Sequence, residues 1–174
     1  MKYLHHLITI IKHKYYVGRE CFKVGLYWQG IVHDLSKFSI VEFFSSAKYY
    51  QGTSSPICAE KEKKGYSLAW LNHKAKNKHH WEYWIDFDYK TGKVISIEIP
   101  EKYVLEMVCD MIGASKTYLN VKFDKTEPLK YFVDKSPMWH MHKESKELLR
   151  KYLTDSLIGI FSKSLFKLIR VIPE

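Results

Sequence analysis

Val17-Gly18-Arg19-Glu20-Cys21-Phe22-Lys23-Val24-Gly25-Leu26-Tyr27-Trp28-Gln29-Gly30-Ile31-Val32-His33-Asp34 is an apolar helical stretch that ends on an adjacent imidazole and carboxylate. Val17, Cys21, Val24, Trp28 and Ile31 recur at the spacing of one helical face. A helix that faces a core delivers His33 and Asp34 to the interior, where an unpaired carboxylate is costly. A divalent metal ion is a strong partner for such a pair. The chain supplies more groups of that kind: His13 upstream, His73, His79 and His80 downstream, then Asp110. Imidazole nitrogen and carboxylate oxygen together suit iron, manganese, cobalt, nickel or zinc.

Helical patterning extends to both sides. Leu4, Leu7, Ile8, Ile11 and Tyr15 mark an earlier helical face. Ser36 or Ser39 could cap a helix running to Tyr50, and residues 51–56 read as a loop. Helix resumes near Ala59 and runs toward His80, with Gly65 as a candidate break. On that helix Trp70, His73, Asn77, His80 and Trp84 can share one face. The period then changes: residues 83–89 and 94–99 read as two strands joined by Lys90-Thr91-Gly92-Lys93, a β-hairpin pattern. Pro100-Glu101 opens a further helix that contains Asp110, and Pro128 and Pro137 suggest two more helix starts. Residues 154–174 read as a C-terminal amphipathic helix, with Leu157, Ile160, Phe161, Leu165 and Leu168 opposed by Lys163, Lys167 and Arg170. The expected fold is all-α, a helical bundle with a small β-hairpin insertion.

The chain has 174 residues and 46% hydrophobic content, which fits one domain spanning residues 1–174 with a full core. The formal charge of +9 favours an anionic partner, although a solvated basic surface accounts for it equally well. Cys21, Cys58 and Cys109 lie far apart with no CxxC pair, which argues against a disulfide framework and for a reduced, cytoplasmic setting. Charged residues and histidines interrupt the first apolar stretch, so a signal peptide is not expected. No apolar run is long enough to predict a membrane span.

The ordered set His13, His33-Asp34, His73, His79-His80, Asp110 resembles the HD-domain superfamily of metal-dependent phosphohydrolases, helical bundles with an H…HD…D skeleton. His33-Asp34-Leu35-Ser36-Lys37 resembles that superfamily's HDxxK stretch, whose lysine reaches substrate phosphate. More narrowly, the chain is similar to a bacterial and phage domain-of-unknown-function family. The phrases that carry this likeness are His13-Lys14, His33-Asp34-Leu35-Ser36-Lys37-Phe38-Ser39, Ala69-Trp70-Leu71-Asn72-His73 and residues 77–84. A catalase label sometimes given to that family finds no support in these residues.

The resemblance implies that His33, Asp34 and Asp110 hold a first metal, with His13 completing the shell and His5 or His6 as alternatives to it. Asp34 would bridge to a second metal held by His73 and by one or both of His79 and His80. Neighbouring positions on a helix point about 100° apart, so both can ligate only if the helix ends there or the site lies beside the turn. His79 or His80 could touch substrate instead. Asn77 could cap a turn or contact substrate, and Lys37 would bind phosphate beside Asp34 as the catalytic pair. Glu106 stands equally as a support for a ligand or as an exposed charge. Glu42 and Glu82 read as structural or surface groups, with action as a general acid or orientation of a ligand histidine as the lesser alternatives.

The implied function is hydrolysis of a nucleotide or similar small phosphoester by a metal-activated water, with one or two divalent transition metals as cofactors. A diiron oxygenase of the same fold is one alternative. A non-catalytic module that binds nucleotide or nucleic acid is another, although no stable nucleic-acid partner is expected. A homo-oligomer is compatible with the sequence.

Overall fold

Gly25, at φ 79°, divides the opening stretch into two helices. Glycine meets no steric penalty there. The computed structural model describes residues 1–157. Helix α1 runs Lys2–Lys23 and the short α2 runs Tyr27–Val32. His33 and Asp34 follow, then a 3₁₀ turn at Leu35–Phe38. Ser39 caps α3 (Ile40–Tyr49) by accepting the Glu42 N–H. Pro56 opens α4 (Pro56–Lys64), which Gly65 ends at φ 81°. Ser67 caps α5 (Leu68–Lys76) through the Trp70 N–H.

Helix α5 ends at Lys76, four residues before the expected His80. Asn77 is its C-cap, and the face proposed to join Trp70 to Trp84 is therefore interrupted. A 3₁₀ turn at Trp81–Trp84 leads into strands β1 (Ile85–Phe87) and β2 (Val94–Ser96). They pair antiparallel with Ile85 opposite Ser96 and Phe87 opposite Val94. Helix α6 (Glu101–Leu119) follows Pro100, and α7 (Glu127–Lys135) carries Pro128 in its first turn. Pro137 opens only a 3₁₀ turn, and the last described helix, α8, starts at Lys143 and reaches Leu157. The fold is all-α with a small β insertion. Most of the expected amphipathic segment at 154–174 lies outside the described residues.

The apolar core sits between α1, α6, α7 and α8. It contains Val17 and Cys21 of α1 and Val24 at its C-cap, Val104, Val108 and Ile112 of α6, Phe132 of α7, and Leu149 and Leu153 of α8. Two apolar stripes compete on α1. The stripe that turns inward is Ile10, Val17 and Cys21, in line with His6 and His13. Leu4, Ile8, Ile11 and Tyr15 are each more than half exposed. Close approach to α6 fixes this rotation: a Cβ on Gly113 would stand 2.9 Å from the backbone nitrogen of Val17. The helices meet where only a hydrogen atom fits. His13, one turn from Val17, is thereby aimed at the face of α6 that carries Asp110.

No disulfide forms: Cys21 and Cys109 are buried as thiols and Cys58 is exposed. Among the described residues no helix is long and apolar enough to cross a membrane.

Candidate metal centre

Five parts of the chain deliver polar side chains to one buried point. Helix α1 supplies His13, and the link after α2 supplies His33 and Asp34. Helix α5 supplies His73, and the turn beyond it supplies His79 and His80. Helix α6 supplies Glu106 and Asp110, four residues apart on one face. His33, Asp34, His73 and His79 are each 1% exposed. Asp34 adopts the left-handed conformation at φ 56° and ψ 24°. A residue other than glycine is uncommon there, and such conformations concentrate at functional sites.

The two oxygens of Asp34 face two different groups. Oδ2 lies 3.1 Å from His13 Nε2 and 3.3 Å from His33 Nε2. Asp110 Oδ1 closes this first group at 3.1 Å from His13 Nε2 and 3.4 Å from His33 Nε2. Oδ1 of Asp34 lies 3.3 Å from His73 Nε2 and 3.4 Å from His79 Nε2. His80 Nε2 completes the second group at 2.8 Å from His73 Nε2. A cation held at about 2.1 Å from nitrogen and oxygen donors has neighbouring ligand atoms roughly 3.0–3.4 Å apart, from octahedral to tetrahedral. The edges of both groups are close to that scale.

The tautomers agree with ligation. A carboxylate only accepts, so an imidazole nitrogen bonded to one donates its proton, and in the neutral ring that a cation requires the other nitrogen carries a lone pair. Burial lowers the pKa of His33 and His79, but the facing carboxylates outweigh it and raise both, His79 to about 9, so a cation would bind by displacing a proton from each ring. His33 Nδ1 and His79 Nδ1 both donate to Glu106 Oε1, at 3.0 and 3.1 Å. His73 Nδ1 donates to Glu42 Oε1 at 2.6 Å. Each of these three histidines therefore aims Nε2 into the cage. His33 Nε2, His79 Nε2 and Asp34 Oδ1 have no hydrogen-bond partner, because their neighbours lie off the hydrogen-bonding directions. Buried polar atoms in that condition call for an explanation, and a shared cation supplies one. The residues present fit a metal.

Electrostatics hold the carboxylates ionised. Burial is the largest single influence on Asp34 and pushes its pKa upward, but His33, Lys37 and His73 outweigh it and keep the group well below its ordinary value. Burial likewise opposes ionisation of Asp110, and its close contacts with His13 and His33 overcome it. His80 is driven the other way. Burial, then His79 and His73, hold it well below the ordinary histidine value, so it is a neutral donor at physiological pH.

The expected residues fall as follows. His13, His33, Asp34 and Asp110 converge as one group, and Asp34, His73, His79 and His80 as the other. Because α5 stops at Lys76, His79 and His80 lie past the helix and both reach the second group. His79 is fully enclosed with its Nδ1 on Glu106, which removes it from the substrate-contacting set. His5 is exposed and His6 packs between Phe43 and Tyr50, so neither replaces His13. Lys37 Nζ sits 2.6 Å from Asp34 Oδ2 at the edge of the cage. Asn77, a candidate substrate contact, instead spends its amide nitrogen on the His73 carbonyl at 2.7 Å and Ser36 Oγ at 2.8 Å.

Glu106 and Glu42 are the groups that sequence reading left open. Glu106 had a signal in its four-residue offset from Asp110. Glu42 carries a weaker signal, since a glutamate in the first turn of a helix is ordinarily a surface group near the positive end of the helix dipole. Its side chain crosses to α5 instead of returning to its own helix start. Taken together, the buried groups could hold one or two metal ions. No curated protein and no solved structure matches this chain. A protein family described only as a family of unknown function, DUF5662, matches residues 2–155, and the chain belongs to it.

Proposed function

We propose that the protein is a binuclear metal-dependent phosphohydrolase of the HD type, acting on a small phosphoester, with nucleotides among the candidates. The observation that carries this is the division of Asp34, whose two oxygens serve two four-residue groups. A carboxylate shared in this way lets two like-charged cations stand close together. His13, His33, Asp34 and Asp110 would hold one ion, and Asp34, His73, His79 and His80 the other. The ions belong to the iron, manganese, cobalt, nickel and zinc set, and when bound they supply an acidified water and neutralise charge at phosphorus.

The chain's own groups do the rest. Glu106 and Glu42 fix the rotation and tautomer of three histidines, so the donor set is in place before any ligand arrives. Lys37 lies on the Asp34 oxygen that faces the first group, and its Nζ would transfer to a phosphate oxygen as a point charge. The net charge of +9 supports an anionic substrate. The enclosed walls keep bulk water from the cage, which strengthens each of these interactions.

The test is turnover by the full chain loaded separately with Mn²⁺, Co²⁺, Ni²⁺, Zn²⁺ or Fe²⁺, against nucleotides, cyclic dinucleotides and aryl phosphates. Metal-dependent phosphate release that is absent from Asp34→Asn supports the proposal. No release from any substrate by a fully loaded protein ends it. The histidine-rich second group also favours a diiron oxygenase reading, since three imidazoles suit iron. Oxygen consumption specific to iron, without phosphate release, selects that reading.

A further inference from the structure

The outer face of α1 is an exposed apolar stripe. Leu4, Ile8, Ile11 and Tyr15 follow one helical line, opposite the buried line of His6, Ile10, His13 and Val17, and each is more than half exposed. Phe22 continues the stripe and meets the ring of Tyr27 edge-on at 5.5 Å, which carries the apolar surface onto α2. There Trp28 is 70% exposed. Single apolar residues are ordinary on a surface, but a contiguous strip marks a contact face.

Charge selects the kind of partner. Glu20 is the only carboxylate of α1 and α2, and it is buried against Lys23 and Lys116. Arg19 has no carboxylate within ion-pair distance among the described residues, and its guanidinium lies over the Tyr15 ring, 5.6 Å from the centroid. Arg19 also lines a cavity of about 260 Å³ with Glu20, Lys23, Lys116 and Asn120, between the rings of Tyr16 and Phe123. The stripe and the cavity therefore adjoin at Tyr15 and Arg19. The side chains of Lys23 and Lys116 are 51% and 25% exposed, so both open to solvent. Three cations stand there against one carboxylate, which leaves the lining positive. The volume equals about twenty water-sized groups at roughly 10–15 Å³ each, enough for a phosphate and an attached glycerol.

We propose that this face docks on an anionic lipid surface, with the α1–α2 stripe at the boundary of headgroups and acyl chains and the Arg19 cavity around a lipid phosphate. A helix that lies in a membrane interface has this make-up: apolar side chains along one line, cations at its edge, and Trp and Tyr where the apolar and polar layers meet. Charge disfavours two other occupants. A second copy would bring the cationic edges of two α1 helices together, and residues 158–174 carry Lys163, Lys167 and Arg170 against Glu174 alone. An acidic protein helix would match the charge, but Tyr15, Tyr27 and Trp28 beside a cavity fit for one headgroup favour lipid. The stripe lies on the opposite side of α1 from His13, so docking needs no contact with the metal groups.

The test is sedimentation of the full chain with vesicles of phosphatidylcholine alone and of equal parts phosphatidylcholine and phosphatidylglycerol. Binding should be at least about tenfold tighter to the anionic vesicles and should weaken as salt is raised. The double substitution Ile8→Glu/Ile11→Glu should reduce that binding at least about tenfold without changing the melting temperature, since both side chains are exposed. Arg19→Gln should reduce it about fivefold, the scale of one cation near a charged surface. Trp28→Ser reads the apolar contribution if the double variant does not fold. Equal binding to both vesicles overturns the proposal. So does binding that survives the stripe substitutions, which places the lipid contact elsewhere in the chain. A dimer in velocity sedimentation that the stripe substitutions dissociate, with no vesicle binding, assigns the face to a second copy. A monomer that binds neither vesicle also overturns the proposal and leaves an acidic protein helix as the matching occupant.

Discussion

One oxygen of Glu106 accepts from His33 and from His79, which belong to different metal groups. Glu106→Gln should therefore weaken both ions, whereas Glu42→Gln should weaken only the second, through His73. Loss of such a support reduces metal affinity by about 10–100-fold, which competition with a chromophoric chelator measures. Asp34→Asn keeps the left-handed backbone, since asparagine tolerates that conformation, while removing the shared charge. Elemental analysis should find it holding at most one ion in place of two. Retention of two ions by Asp34→Asn would show that the carboxylate is not shared. At this scale much is legible: the sequence carries seven candidate ligands, and the structure brings all seven together. The supports are less legible: the four-residue offset from Asp110 leaves Glu106 with two equal readings, and a glutamate beside a helix start, such as Glu42, has many ordinary uses.

At the scale of elements, α1 and α6 bring His13 to Asp110, and Gly113 sets their separation. Gly113→Ala tests the link between packing and site. Alanine in place of glycine favours a helix by about 1 kcal/mol. Here the added methyl would meet Val17 backbone, which cannot rotate away. Overpacking costs about 1–3 kcal/mol, so the net effect should be destabilising. The first ion should also be lost in preference to the second, because only the first group spans α1 and α6. A stable variant with full metal content would refute the coupling.

Glu20 provides a second tie between these helices. Its carboxylate meets Lys116 of α6 at 2.5 Å and Lys23 at 2.8 Å. Burial is the largest influence and raises its pKa, but the two lysines together lower it below 4.5. Its stabilisation is present above the unfolded value of 4.5 and is lost as pH falls through the folded value. Wild type should therefore melt above Glu20→Gln at neutral pH, with the gap closing only below about pH 4.5. A gap that persists at lower pH would exclude the charge as its source.

The rotation of α1 was not legible at this scale. Leu4, Ile8, Ile11 and Tyr15 repeat at helical spacing as well as the buried stripe does. Only contact with Gly113 and the ligands decides between the two faces. The end of α5 was missed for a related reason. Lys74-Ala75-Lys76 carries no helix breaker, and the Asn77 cap, which bonds to Ser36 in a distant segment, stops the helix.

Across the whole molecule, the site joins regions that the apolar core does not. The core ties α1 and α6 to α7 and α8, while His33, Asp34, His73, His79 and His80 come from the half that runs from α2 to the turn after α5. Ions held between these halves should act as cross-links of the folded state. A ligand that binds only the native form stabilises it by about 2.7 kcal/mol when present at a hundred times its Kd. Two such ions contribute about 5 kcal/mol, which for a chain of this size corresponds to a rise in Tm of roughly 10–20 °C. Calorimetric scans with excess metal and then with excess chelator should differ by that amount. Asp34→Asn should show a markedly smaller difference, since its cage lacks the shared carboxylate. The fold class was legible from the helical periods alone, but this coupling was not, because it depends on which segments meet. If chelator left the wild-type melt unchanged, the cage would be a network of buried hydrogen bonds, and the two halves would owe their union to the remaining contacts of α1 with α2 and α3.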